Sequence, residues 1–156
     1  MKCVFLDIDG VCNNSTVIMT AGHSDVVSRE MVERVNRICE STGAVVVISS
    51  SWRLMMPLCD LRKFLRDNGA RFNVVGITPH IGTVRTWRND AVSYRSARRG
   101  DEIQQWLDEN EEAESFVILD DDSDMEPFMD RLVKTTFTTG LQDEHVEKAL
   151  EMFGHG

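Results

Sequence analysis

Short apolar runs that alternate with amphipathic stretches predict an α/β fold, a parallel sheet of about five strands flanked by helices. Two further observations support it. The strand candidates are rich in Val and Ile and lack a polar face, as strands covered on both sides do. Polar residues fall just beyond those runs, at Asp7, at Ser49 to Ser51 and at Asp120 to Asp122. An open parallel sheet gathers its ligands at that end. The 156 residues fit one domain with a sizeable core, and no repeat or low-complexity linker divides residues 1–156.

The first strand spans Cys3 to Leu6 and runs into Asp7-Ile8-Asp9-Gly10, where Gly10 allows a tight turn. Alternation along an extended chain puts Asp7 and Asp9 on one side. Residues 11–27 read as a small flap, with Thr16 to Thr20 as a hairpin arm. Ser28 caps a helix whose apolar positions are Met31, Val32, Val35, Ile38 and Cys39, and Gly43 ends it. Ala44 to Ile48 is a β-branched buried strand. Leu58, Leu61, Phe64 and Leu65 mark the next helix, ending near Asn68-Gly69, and Phe72 to Ile77 the third strand. Residues 78–99 read as an arginine-rich loop. A helix opens at Gly100 and packs through Ile103, Trp106 and Leu107. Phe116 to Leu119 and Leu132 to Phe137 complete the sheet, and a last helix runs from Asp143 to Phe153. Crossovers between parallel strands are right-handed.

Composition narrows the function. A hydrophobic fraction of 42% and a charged fraction of 28% are ordinary for a globular chain. The net charge of −9 argues against general attraction to nucleic acid or anionic membrane. Residues 78–99 are the exception: five arginines against Asp90 make them locally about +4, and the rest about −13. Cys3, Cys12, Cys39 and Cys59 are scattered and suggest neither a zinc site nor a disulfide framework, so reduced thiols in a cytoplasmic protein are expected. Asp7 and Asp9 interrupt the first apolar run too early for a signal peptide, and nothing is long enough to span a membrane. His23, His80, His145 and His155 show no ligand spacing, and Trp52, Trp87 and Trp106 read as packing residues. Asp7, Asp9, Asp120 and Asp121 together would repel at a cost of several kcal/mol in a crevice. A hard divalent cation removes that cost, and Mg²⁺ is the usual choice beside a phosphate.

These residues resemble a known family. Val4-Phe-Leu-Asp-Ile-Asp-Gly is similar to the first signature of the haloacid dehalogenase (HAD) superfamily, a strand followed by DxDG. Ile48-Ser-Ser-Ser-Trp resembles the second, and Phe116-Val-Ile-Leu-Asp-Asp-Asp the fourth. Arg99, or else Arg98, stands where the third has a lone basic residue; the family often has Lys there. SSSWR, RGDEIQQWL and VILDDDSDM resemble the small HAD domain of Swiss Army Knife RNA repair proteins. The resemblance implies a Rossmann-like HAD fold with a minimal cap and a Mg²⁺-dependent phosphatase working through an aspartyl-phosphate. It makes Asp7 the nucleophile, Asp9 the acid and base, and Arg99 the stabiliser of phosphoryl charge. It assigns Mg²⁺ to Asp7, to the backbone carbonyl of Asp9 and to Asp120 or Asp121. Ser50, or else Ser49, contacts the phosphoryl group, with Gly10 and Arg98 as further candidates for the substrate. Asp122 and Asp124 read as turn or cap residues.

The substrate implied is a phosphorylated small molecule or a phosphorylated nucleic-acid end. A non-catalytic phosphate-binding module and a phosphotransferase are the competing readings. Intact Asp7 and Asp9 argue against the first of these. A response-regulator receiver fits poorly, because its phosphoacceptor lies on a later strand. The arginine-rich stretch is either a substrate grip or a solvated loop balancing an acidic protein.

Overall fold

A computed structural model describes residues 1–154, so His155 lies outside the described residues. Five parallel strands form one sheet: β1 (Lys2–Leu6), β2 (Val45–Ile48), β3 (Val74–Ile77), β6 (Ser115–Asp120) and β7 (Leu132–Lys134). Their order is β3-β2-β1-β6-β7. The order reverses at β1, the first strand, so the crevice opens beside the acidic end of β1. This is the Rossmann-like α/β sheet expected of the sequence, with β7 ending three residues early and β3 starting two residues late.

The pleat sends alternate residues of each strand to two separate cores. Val4 and Leu6 join the larger one, with Val46, Ile48, Val117 and Leu119. It is closed by α2 (Arg29–Thr42), α3 (Leu58–Asp67) and α5 (Asp143–Met152), through residues such as Val35, Leu61 and Val146. Cys3, Phe5, Val47 and Ile118 join the smaller core, which a single helix, α4 (Arg99–Glu109), covers through Ile103 and Trp106. Phe5 meets Trp106 edge to face at 5.4 Å. Each fully buried side chain of this size contributes ~1.5–3 kcal/mol.

Two expectations fail. Residues 16–20 are not a hairpin arm but part of α1 (Ser15–Ala21). Asn14 accepts the Val17 N–H, and Gly22 stops the helix at φ 78°, so local caps override the β-branched residues. Residues 78–99 are not a plain loop: β4 (Thr83–Arg88) and β5 (Ala91–Ser96) form an antiparallel hairpin. Its two-residue turn holds Asn89 at φ 49° and Asp90 at φ 60°, the left-handed pair a tight hairpin needs. Asn-Asp does this without the glycine that usually advertises such a turn. Among the described residues no helix is long and apolar enough to cross a membrane, and all four cysteines are free.

The start of α4 is set by close backbone approach. A Cβ on Gly100 would run into the Glu126 carbonyl oxygen and the Met125 backbone. Gly100→Ala is therefore expected to cost about 1–3 kcal/mol through overpacking and to lower the melting temperature. An unchanged melting temperature would refute this tight docking.

Candidate active site

The sheet delivers the site one rung beyond its strands. Asp7 N–H donates to the Leu119 carbonyl at 3.0 Å, Ser49 N–H to Leu6 at 2.9 Å, Thr78 N–H to Ile48 at 3.0 Å and Thr135 N–H to Asp120 at 3.0 Å. Leu6 pairs with Ile48 and with Leu119, so Asp7 follows in step with Ser49 and Asp120. The same alternation sets their direction. Asp7 follows Phe5, Ser49 follows Val47 and Asp120 follows Ile118, all three being residues of the α4-side core. Parallel register thus carries two carboxylates and a hydroxyl to one side of the sheet end, below the first turn of α4.

Carboxylate oxygens of Asp7, Asp120 and Asp121 lie within 4.8 Å of one another. Asp7 and Asp120 are buried. One Asp7 oxygen accepts the Ile8 N–H at 2.9 Å, and Asp120 Oδ1 accepts the Asp122 N–H at 2.9 Å. Burial pushes the Asp7 carboxyl up, with the Asp121 charge adding and Arg99 opposing. Burial, and then the charge of Asp7, push the Asp120 carboxyl up as well. Both shifts favour the protonated forms of Asp7 and Asp120, and positive charge entering beside them would reverse that.

Several atoms here are buried without a partner: Asp120 Oδ2, Ser49 Oγ, Thr78 Oγ1, Arg99 Nη1 and Asp124 Oδ1. Buried polar atoms are almost always paired, so this concentration marks a place built for something else. The donor set around the three aspartates is all oxygen, which suits a hard cation. Gly10 makes room for Asp121: at φ 80° it carries no side chain, and a Cβ there would collide with the Asp121 carboxylate. The residues present therefore fit Mg²⁺.

Asp9 takes a different position from the one alternation suggested. Extended backbone ends at Leu6, and the chain turns through Ile8 to Gly10. One Asp9 oxygen accepts from Asn13 Nδ2 at 3.0 Å and the other from Trp52 Nε1 at 3.1 Å. Its carboxylate is thus outside the three-aspartate cluster. Asn13 also accepts the Gly10 N–H at 2.9 Å, and Thr135 Oγ1 donates to the Gly10 carbonyl at 2.6 Å. These two buried residues fasten the DxDG turn.

The remaining candidates separate cleanly. Arg99 acts electrostatically on both Asp7 and Asp120. Its N–H donates to Asp124 Oδ2 at 3.1 Å, and the Gly100 N–H to the Asp124 carbonyl at 3.0 Å, so Asp124 receives the start of α4. Arg98 is partly exposed and turns to Glu126 at 3.7 Å. Ser50 Oγ accepts the Trp52 N–H at 3.2 Å and caps the short turn Ser51–Leu54, whereas Ser49 Oγ is unengaged. Asp122 accepts the Ser123 N–H at 2.7 Å, as a turn residue does.

Sequence reading missed Thr78, Thr135, Asn13 and the pair of Arg53 with Glu102. The Arg53 guanidinium is buried, donates to the carbonyls of Thr78, Ser50 and Pro79, and meets Glu102 Oε2 at 3.0 Å. It ties the chain leaving β2 and β3 to α4. The signal was an arginine directly after Trp52, which alone says nothing about burial.

Because Asp7 and Asp120 have carboxyl pKa values raised by folding, their contribution to stability is full in acid and is lost as pH rises through those values. Mg²⁺ is expected to raise the melting temperature at neutral and higher pH and to change it little near pH 4. Asp120→Asn should largely abolish the Mg²⁺ effect. Thermal denaturation with Mg²⁺ and with chelator checks both, and a metal-independent melting temperature at pH 8 would reject the site.

The family described as the HAD domain in Swiss Army Knife RNA repair proteins matches residues 3–146. No curated protein and no solved structure gives a match. The matched span holds the DxDG turn, the serines after β2, Arg99 and the aspartates after β6, so the chain belongs to this HAD domain family.

Proposed function

We propose that the chain is a Mg²⁺-dependent phosphomonoester hydrolase that works through an aspartyl-phosphate on Asp7, with nucleotides or phosphorylated nucleic-acid ends as substrates. The observation that carries this reading is the convergence of Asp7, Asp120, Asp121, Arg99 and Ser49, with partnerless buried atoms on three of them. The family's occurrence in RNA repair proteins supports the nucleic-acid end.

The chemistry follows from the residues. The Asp7 oxygen not engaged by Ile8 attacks phosphorus, and the bond to the leaving oxygen breaks. Asp9 gives that oxygen a proton, then takes one from the water that hydrolyses the aspartyl-phosphate, which returns Asp7 and releases phosphate. Asn13 and Trp52 hold the Asp9 carboxylate in a fixed direction for both transfers. Ser49 Oγ and the Arg99 guanidinium donate hydrogen bonds to phosphoryl oxygens as negative charge grows on them. Asp7, Asp120 and Asp121 would hold Mg²⁺, with the Asp9 backbone carbonyl as a further ligand; when bound, it offsets repulsion between the anionic nucleophile and an anionic phosphate. Transfer to an acceptor other than water uses the same residues, and the products distinguish it.

Asp7→Asn should abolish hydrolysis of an aryl phosphate in Mg²⁺, and Asp9→Asn should slow it by about 10²–10⁴-fold; wild-type rates in Asp7→Asn would remove it as nucleophile. The serines should divide. Ser49→Ala is expected to lower kcat/KM about 10²-fold at little cost in stability. Ser50→Ala is expected to cost about 1 kcal/mol in stability as a lost cap and to spare most of the activity. Steady-state kinetics and melting curves on the two proteins decide it, and the reverse pattern would exchange their roles.

A further inference from the structure

The β4–β5 hairpin wears its side chains inside out. Residues opposite each other across an antiparallel pair share a face. Arg85 pairs with Tyr94 and Trp87 with Val92, so these four lie together on one face, and all are exposed. Trp87 is 69% exposed and Tyr94 66%. The opposite face holds Val84, Thr86, Ser93 and Arg95, which are half-buried. Water-facing strands normally show the reverse, with polar residues out.

This face is built and held. Arg95 grips Asp101 of α4 through two hydrogen bonds of 2.7 and 2.8 Å. The Ala97 N–H donates to the Gly82 carbonyl at 3.2 Å and closes the root. Two isolated strands are marginal without such support. Arg95 is therefore engaged, and the uncommitted positive charge belongs to Arg85, on the face of Trp87, and to Arg88, which pairs with Ala91 on the other face near the tip. Among the described residues neither has a carboxylate within ion-pair distance. The Arg85 guanidinium lies 5.3 Å from the centre of the Trp87 ring. The root of the hairpin borders the catalytic crevice: Ile81 and Ala97 line a cavity of about 220 Å³ together with Arg53, His80, Arg99 and Asp124.

We infer that the Arg85, Trp87, Val92 and Tyr94 face is a stacking platform for the unpaired bases of a single-stranded nucleic acid whose phosphorylated end enters the Asp7 site. The assignment rests on the phosphatase reading above and extends it to a surface outside the crevice. Exposed aromatic rings, here beside Arg85, are a usual means of holding single strands without reading their sequence. Charge favours this occupant: the face carries the unpaired Arg85 in a segment of about +4, within a chain of net charge −9. Area argues against a second copy of this chain. Six residues of two strands offer roughly 20 by 10 Å, far below the ~800 Å² each partner gives to a stable interface. Trp87 and Tyr94 stand away from the root, so they meet bases a few nucleotides from the reacting phosphate.

The test separates this surface from the active site. In the Asp7→Asn background, which leaves the probe intact, anisotropy measures binding of labelled single-stranded 12-mer RNAs with 3′ or 5′ phosphate and of the matching duplex. Adding Trp87→Ala and Tyr94→Ala should weaken binding of at least one single strand tenfold or more and leave duplex binding within about twofold. Trp87→Phe with Tyr94→Phe, which keeps the rings, should restore most of the affinity. With Asp7 intact, the double alanine variant should hydrolyse aryl phosphate like the parent. Unchanged single-strand affinity, no binding by the parent, or equal loss on the duplex overturns the platform. So does a parent that elutes as a dimer beside a monomeric variant. Inactivity of the parent toward aryl phosphate, with the binding difference intact, would instead sink the phosphatase reading and leave the platform standing.

Discussion

Mutual repulsion of Asp7, Asp120 and Asp121 is the constraint around which this molecule is arranged. Three carboxylate oxygens lie within 4.8 Å because the parallel sheet sets Asp7 beside Asp120 and Asp121 follows in the bend after β6. The β1–β6 ladder sets Asp7 beside Asp120, the Gly10 turn admits Asp121, and Arg99 supplies opposing positive charge. None of these supports is local in sequence. The site is therefore a property of the sheet and of the α4 docking, and both must form before it exists.

Arg53 and Glu102 extend the same logic beneath the surface. Burying an ion pair brings little net stability, but removing one partner strands the other at a cost of about 3–5 kcal/mol. Here the guanidinium also satisfies three backbone carbonyls of the chain leaving β2 and β3. Glu102 accepts the Ile81 N–H at 3.0 Å, so the pair joins those turns to the helix that carries Arg99. Arg99 in turn keeps its place through Asp124.

Most of the fold was legible because its signals are short-range. Buried parallel strands read as runs such as Val45 to Ile48, and Ser28 and Gly43 mark the ends of α2. The aspartates were legible because DxDG and the acidic run after β6 stand next to those strands. What stayed hidden depends on pairing. Three consecutive serines carry no register of their own, and only the pairing of Leu6 with Ile48 singles out Ser49 as the neighbour of Asp7. Thr78 and Thr135 look like ordinary strand ends until their partners are known. Trp87 read as a packing residue because a tryptophan usually packs; that it stands in a strand, paired with Val92 on an uncovered face, is invisible in one dimension.

The two cores are unequal, and that asymmetry has a dynamic meaning. Three helices seal the side away from the aspartates, while α4 alone seals the side that carries them. Local opening is easiest where the fewest apolar contacts are given up. The aspartates thus sit on the side with the smaller apolar core, and the amides of α4 are expected to exchange with solvent ahead of those of α2.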